Sequence, residues 1–273
     1  MLKNNVVLIR GGGDLATGVA LRLHRAGIKV VITELAQPLA VRRTVSFSEA
    51  VYEGRNTVEG IRARLIEAGQ LPAWHEAGAG EIPVLIDPDA KILLSFPLPV
   101  VVDARLTKLP PSPLPANVPL HIGLGPGFTA ERDCHAVIET RRSHTLGRVY
   151  WTGTTQADSG QPEGDARRVL RAPGSGMLVG LKKIGEHCEE GEVIASIEAD
   201  AHTDTPVLSP FKGVLRGLIR PGFAVQQGMK IGDVDARDDV TACYLVSDKS
   251  LAIGGGVLEA ILSQREIREL LFS

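Results

Sequence analysis

The sequence predicts an α/β fold, in which a mostly parallel-sheet domain is joined to a small all-β domain. Three observations predict it. The apolar run Val6–Arg10 leads through Gly11–Gly12–Gly13 into a helical pattern and then a second apolar run, Val30–Thr33. Two later runs, Pro83–Ile86 and Val100–Val102, are each closed by an aspartate, Asp87 and Asp103. Finally, one glycine-and-proline pattern occurs twice at an offset of 37 residues, with Pro173, Gly176, Gly180, Gly185 and Gly191 returning as Pro210, Gly213, Gly217, Gly222 and Gly228.

The first element justifies itself locally. Four consecutive apolar residues before a charged one suit a strand buried on both faces of a parallel sheet. Leu15, Ala16, Val19, Ala20 and Leu23 recur at helical spacing, and Gly27 supplies a stop. The result is a β-α-β unit with glycines at the strand-to-helix turn, a Rossmann-like beginning. Ser46 and Ser48 are candidate caps for a short helix at Ala50–Tyr52, and Gly60–Ala68 reads equally as strand or helix. Prolines crowd Pro110 to Pro119, which reads as an extended segment. Leu120–Ile122 then precedes a second glycine loop, Gly123–Phe128, followed by strand-like Val137–Thr140 and Gly147–Tyr150. Ala242–Val246 reads as a strand, and Ser247 as the cap of a helix beginning at Asp248. Gly254–Gly256 inside that helix implies a close backbone approach or, alternatively, a second phosphate loop.

The duplicated segment resembles the barrel-sandwich domains of biotin and lipoyl carriers, with SPFKGVL and PGFAVQQGMKIGDV matching their second half. Those carriers present a lysine on the hairpin between the halves. Here that hairpin, Glu198–Leu208, contains none, so no biotin or lipoate attachment is expected. The predicted domains are a Rossmann-like domain over 1–165, a barrel-sandwich β-domain over 166–236, and a strand-helix segment over 237–273 that returns to the first domain.

Composition narrows the function. A formal net charge of −2 over 273 residues gives no basic field for nucleic acid or an anionic membrane. The apolar runs are far too short to span a bilayer, and a cytoplasmic location is expected. Three cysteines, Cys134, Cys188 and Cys243, form no CxxC pair and are expected reduced. The seven histidines show no metal-ligand spacing, and no nucleophile elbow or paired-carboxylate motif stands out.

Gly11, Gly12 and Gly13 offer backbone amides and the positive end of a helix dipole to an anion. The pattern reads GxGxxA with Ala16 third, and Glu34 follows about 20 residues later, where dinucleotide sites place an acid for the ribose. Asp14 opposes an anion and serves equally as a helix cap. Arg42 with Arg43, and Arg141 with His144, bring cation donors beside hydroxyls, a combination that suits phosphate or carboxylate. Gly123, Gly125 and Gly127 form the other candidate loop. A purely structural pair of tight turns explains the same glycines.

Five segments together resemble a bacterial family of accessory proteins for selenium-dependent molybdenum hydroxylases, related to the xanthine dehydrogenase accessory proteins. They are IRGGGDLATG (9–18), RRTVSF (42–47), GLGPGF (123–128), VIETRRSHTLGRV (137–149) and VSDKSLAIGGGVLEAI (246–261). The resemblance implies a maturation factor that serves a molybdenum hydroxylase client and binds a small phosphate-bearing cofactor such as molybdopterin. It assigns no catalytic residue. The residues themselves leave two alternatives: an NAD(P)-dependent oxidoreductase holding a dinucleotide at the same loop, and a non-catalytic scaffold. A homo-oligomer is compatible with each.

Overall fold

The computed structural model describes residues 5–77, 80–160, 164–200 and 203–272. The chain forms two compact units, one of Met1–Pro38, Ser46–Ser159 and Val246–Ser273, the other of Leu39–Val45 and Gly160–Leu245.

The first unit is built on one nine-stranded sheet. Its strands are β1 (Val6–Arg10), β2 (Lys29–Glu34), β3 (Arg55–Val58), β4 (Ile61–Leu65), β5 (Glu81–Ile86), β6 (Val100–Asp103), β7 (Leu120–Leu124), β9 (Ala136–Ile138) and β10 (Val149–Tyr150), while β8 (Thr129–Ala130) and β11 (Gly153–Thr154) pair separately. The order is β10-β9-β7-β6-β1-β2-β5-β4-β3. The seven central strands run parallel, and β3 and β10 close the edges antiparallel. Every residue of β1 is buried, as a central strand covered on both faces must be. Val6 and Leu8 enter a cluster with Leu71 and Trp74 of α3 (Leu71–Ala77) and with Ile92 and Leu93 of α4 (Ile92–Ser95).

The expected Rossmann-like domain with a small barrel-sandwich is corrected by this architecture. What is present is a large mixed sheet with additional antiparallel sheets. The reason lies in the connections. A doubly wound sheet covers itself with the helices of its own crossovers. Here residues 104–119, between β6 and β7, contain no helix. Cover near β7, β9 and β10 comes from α5 (Asp248–Ser263), which packs along α1 (Asp14–Arg25). Two short elements, α2 (Ala50–Glu53) and α6 (Arg265–Leu271), complete the helices.

The α1–α5 contact depends on missing side chains. A Cβ added at Gly18 would stand 2.5 Å from Ser250 Cβ, and one at Gly254 would stand 2.9 Å from the Gly18 carbonyl oxygen. A Cβ at Gly256 would strike the Gly147 carbonyl. Gly254 and Gly256 are therefore close-packing positions inside a helix, and the alternative of a second phosphate loop falls. Ser247 caps α5 by accepting a bond from the Ser250 amide.

The second unit expresses the 37-residue offset strand by strand. The first repeat supplies β12 (Val169–Arg171), β13 (Gly176–Gly180), β14 (His187–Cys188) and β15 (Val193–Asp200). The second supplies β16 (Thr203–Leu208), β17 (Gly213–Leu218), β18 (Ala224–Val225) and β19 (Lys230–Asp235). They interleave into two antiparallel sheets, β12-β19-β17-β14 and β16-β15-β13-β18, so each repeat donates its first and third strands to the other's pair. The β15–β16 hairpin contains the lysine-free segment, of which residues 201–202 lie outside the described residues. Leu178, Ile194, Ile197, Leu215, Ile231 and Val234 share one core. Ala242–Val246, expected as a strand, instead begins inside a 3-10 helix over Val240–Cys243, where the Asp239 side chain accepts from the Thr241 amide, and continues as a turn.

Candidate functional site

Parallel strands share a C-terminal edge, and in α/β sheets that edge is where loops meet ligands. In the first unit, the segments leaving β1, β2, β5, β6, β7 and β9 all emerge there. Among the expected site residues, Gly11, Gly12, Gly13, Asp14 and Glu34 are brought into direct association. Gly11 has φ +93° and donates its amide to Thr33 O at 2.7 Å, which turns the chain off β1. Gly12 donates to the Glu34 carboxylate at 2.6 Å and accepts from the Ser48 amide at 2.8 Å. A Cβ at Gly12 would stand 2.9 Å from Ser48 N, so the segment carrying Ser48 lies directly on this turn.

Gly13 occupies the N-cap of α1 with φ −65° and ψ −179°, and among the described residues no side chain caps the helix. A Cβ there would meet nothing within 4 Å. Asp14 is the first helical residue. Thr17 donates to Gly12 O at 3.3 Å and accepts from the Phe47 amide at 2.9 Å, binding the turn to the segment before α2. Glu34 also accepts from its neighbour Leu35 at 2.7 Å. Burial pushes the Glu34 carboxyl up from the ordinary range, while the two amide bonds pull it down.

Beside the turn lies a buried ion-pair group that the sequence reading did not assign to the site. Arg10 donates to Asp103 at 3.1 Å, and Arg105 grips the same carboxylate through two nitrogens at 2.8 and 2.6 Å. Asp103 is wholly buried, so this pairing offsets the cost of removing its charge from water. The available signal was a charged residue closing each of two apolar runs that pair in register, Arg10 opposite Asp103. Ser48 was also missed as a site residue, having been read as a cap. It is fully buried, and its hydroxyl has no hydrogen-bond partner among the described residues.

The second glycine loop sits at the same edge on the far side of β6. Gly123 lies within β7 and leaves room for the Phe128 ring. Gly125 has φ +95°, and Gly127 donates to Thr107 O at 2.9 Å, with no room for a Cβ. Those glycines permit close packing of neighbouring segments. Arg141 and His144 are exposed, and the Arg141 amide donates to buried Glu139 at 2.7 Å. Arg142, beside them, forms a two-point bridge to Asp248 at 2.5 and 2.7 Å.

Arg42 and Arg43 belong to the second unit. Arg42 donates to the carbonyls of Ala242 and Leu245, both at 2.9 Å, and Arg43 to that of Leu218 at 2.8 Å. Their guanidinium groups thus fasten Leu39–Val45, which crosses β17 where Gly217 leaves space for Val41. The cysteines are all buried, and burial pushes the Cys134 thiol up to about 12 and the Cys243 thiol upward. Neither has the thiolate character of a nucleophile. Among the described residues no group of three or more His, Cys, Asp or Glu is placed to hold a metal ion, and no helix is long and apolar enough to cross a membrane.

No family model matches this chain. A curated protein of Escherichia coli K12, described as the uncharacterized protein YqeB, is 44% identical over 263 residues, which is 95% of this chain and 48% of that protein. The chain thus spans about half the length of this relative. Solved structures that align include an aspartoacylase family protein from Mesorhizobium loti, with 9% identity, TM-score 0.27 and coverage of 85% of this chain and 84% of that one. A succinylglutamate desuccinylase/aspartoacylase from Rhodobacter sphaeroides gives 11% identity and TM-score 0.26, covering 85% and 86%. The product-bound ectoine utilization protein EutE (DoeB) from Ruegeria pomeroyi gives 12% and 0.28, covering 85% of each chain.

These findings correct the resemblance drawn from the five segments. The structures that align are described as aspartoacylase and desuccinylase proteins, and none of the matches named here is described as an accessory protein of molybdenum hydroxylases. The maturation role and its selenium chemistry are withdrawn. TM-scores of 0.26 to 0.28 are also too low for these alignments to pass a fold or an activity to this chain.

Proposed function

We propose that the first unit binds a small phosphate-bearing ligand at the Gly11–Asp14 turn. One observation carries this reading: among the described residues no side chain caps the twelve-residue helix, and the backbone of Ser48, whose buried hydroxyl has no partner among those residues, lies against Gly12 just before it. The first amides of a helix have no intrahelical acceptor, and the dipole adds positive character there. An anion satisfies both. Serine, threonine, asparagine or aspartate at Gly13 would satisfy an amide from within, so glycine leaves that work to something else. Arg105, partly exposed next to the turn, adds a cation to the same edge.

The test is Gly13→Asp. Its backbone angles suit any residue and there is room for the side chain, so the variant should fold with α1 better capped. The new carboxylate would occupy the anion's place. Inorganic phosphate and ribose 5-phosphate affinity, measured by calorimetry, should fall at least about tenfold, since one charge-assisted hydrogen bond contributes roughly 1.5–3 kcal/mol. Unchanged affinity in a folded variant overturns the reading.

One observation favours a second reading, in which the turn is a structural joint. The Gly12 amide is already taken by Glu34, and the Gly11 amide by Thr33. Under that reading the parent protein gives no heat with either phosphate compound.

A further inference from the structure

A cleft of about 460 Å³ opens at the same sheet edge as the turn. Its walls are Leu65, Ile66, Leu85, Ile86, Ile92 and Phe96, from the ends of β4 and β5 and from α4 with the residue after it. The volume falls within the range of small-molecule sites. Polar groups stand on its lining but are engaged locally. Asp87 accepts from the amides of Lys91 and Ile92 at 2.9 and 2.8 Å, and Glu67 takes part in a reciprocal capping box with Gln70. Lys91 pairs with Asp89 at 3.2 Å. The cleft therefore offers apolar walls with polar groups fixed among them, which suits a heterocycle better than a hydrocarbon chain.

Strand order ties this cleft to the turn. β1, β2, β5 and β4 are consecutive and parallel, so their C-terminal ends lie side by side. At about 4.8 Å per strand, two steps from β1 reach β5 at about 10 Å. Glu34 bridges the interval, with its carboxylate on the Gly12 amide and its carbonyl accepting from Asp87 N at 3.0 Å. Leu35 and Ile86, about half exposed, continue the apolar surface between the two places.

We infer that this cleft takes the ring of a ring-bearing phosphate ester whose phosphate sits at the start of α1, a ligand of the nucleoside monophosphate class. The inference rests on the phosphate reading of the turn. A sugar between phosphate and ring supplies a reach of the right order, and burying the ring removes apolar area from water.

The experiment compares inorganic phosphate, ribose 5-phosphate, AMP and UMP by calorimetry on the whole chain. In the parent, AMP or UMP should bind at least about tenfold more tightly than ribose 5-phosphate. Ala68→Trp and Ser95→Trp place bulk in the cleft from exposed lining positions. Each should reduce nucleotide affinity to the level of ribose 5-phosphate and leave ribose 5-phosphate within twofold of the parent. Equal affinity for ribose 5-phosphate and both nucleotides in the parent overturns the inference and spares the phosphate reading. So does a nucleotide preference that survives both folded variants. No binding of any phosphate compound overturns the turn itself and the cleft with it. The parent comparison stands even where a tryptophan variant fails to fold.

Discussion

His121 shows how burial decides the state of a single residue. It lies in β7 with its Nε2 buried and without a hydrogen-bond partner among the described residues, edge-on to Phe128 with ring centroids 6.1 Å apart. Burial lowers its pKa from 6.5 to about 4, against the opposing pull of Asp103. A base held neutral in this way contributes stability that is full above its unfolded pKa and is lost as pH falls through the folded value. The window is therefore pH 6.5 down to about 4. His121→Leu, of similar volume, should flatten the decline of melting temperature across that window. A decline identical to the parent's would show that other groups set it. Glu34 has the opposite sign, because its raised pKa makes the folded state favour the protonated acid. Its contribution weakens as pH rises from its unfolded value through its folded one, and Glu34→Gln should remove that weakening from the melting profile above the unfolded value.

At the scale of elements, the α1–α5 contact concentrates its demands on two glycines, Gly18 and Gly254. Gly18→Val forces a branched side chain against the Ser250 backbone and should destabilise by about 1–3 kcal/mol or more, the usual cost of overpacking. Gly255, on the same helix with open space around it, is the control. Gly255→Ala should be neutral or stabilising by up to about 1 kcal/mol, through helix propensity alone. Urea titration of both variants checks this contrast, and equal effects would mean that the two helices do not depend on close approach. Much of this element was legible beforehand: Ser247 capped the expected helix, and the glycine triplet implied close packing. What escaped were the two-residue strands β8 and β11, whose pairing with each other is decided across the intervening chain and leaves no periodicity to read. Ala242–Val246 misled for a related reason. Its apolar residues suggest a strand, but Asp239 caps a turn there and Cys243 is buried by contact with the second unit's core.

For the whole molecule, the duplicated glycine pattern disclosed a symmetric β unit without disclosing how its strands pair. Periodicity locates strands, whereas exchange between repeats is fixed by three-dimensional closure. The candidate site was legible in part: the Gly11–Gly13 turn and Glu34 could be read from spacing, but the Arg10–Asp103–Arg105 group and Ser48 required register between strands distant in sequence. Arginines 42 and 43 were legible only as a cation pair, which reads alike whether it holds a ligand or a carbonyl; both donate to carbonyls. The lysine-free β15–β16 hairpin carries a prediction for the intact chain. Expressed with biotin and lipoate ligases in excess, the protein should keep its unmodified mass, and a gain matching either group would restore a carrier role to the second unit.

The interleaving of the two repeats also constrains how the chain folds as it leaves the ribosome. The sheet holding β12 and β14 cannot close until β17 and β19 have been made, so the first repeat emerges with its edges unpaired. The first unit waits longer, because α1 finds its partner α5 only after residue 248. All nine strands of the sheet are therefore synthesised before the glycine face of α5 arrives to cover it. Nascent chains halted before that helix should expose the surface of α1 and engage holding chaperones, whereas chains released past it should not.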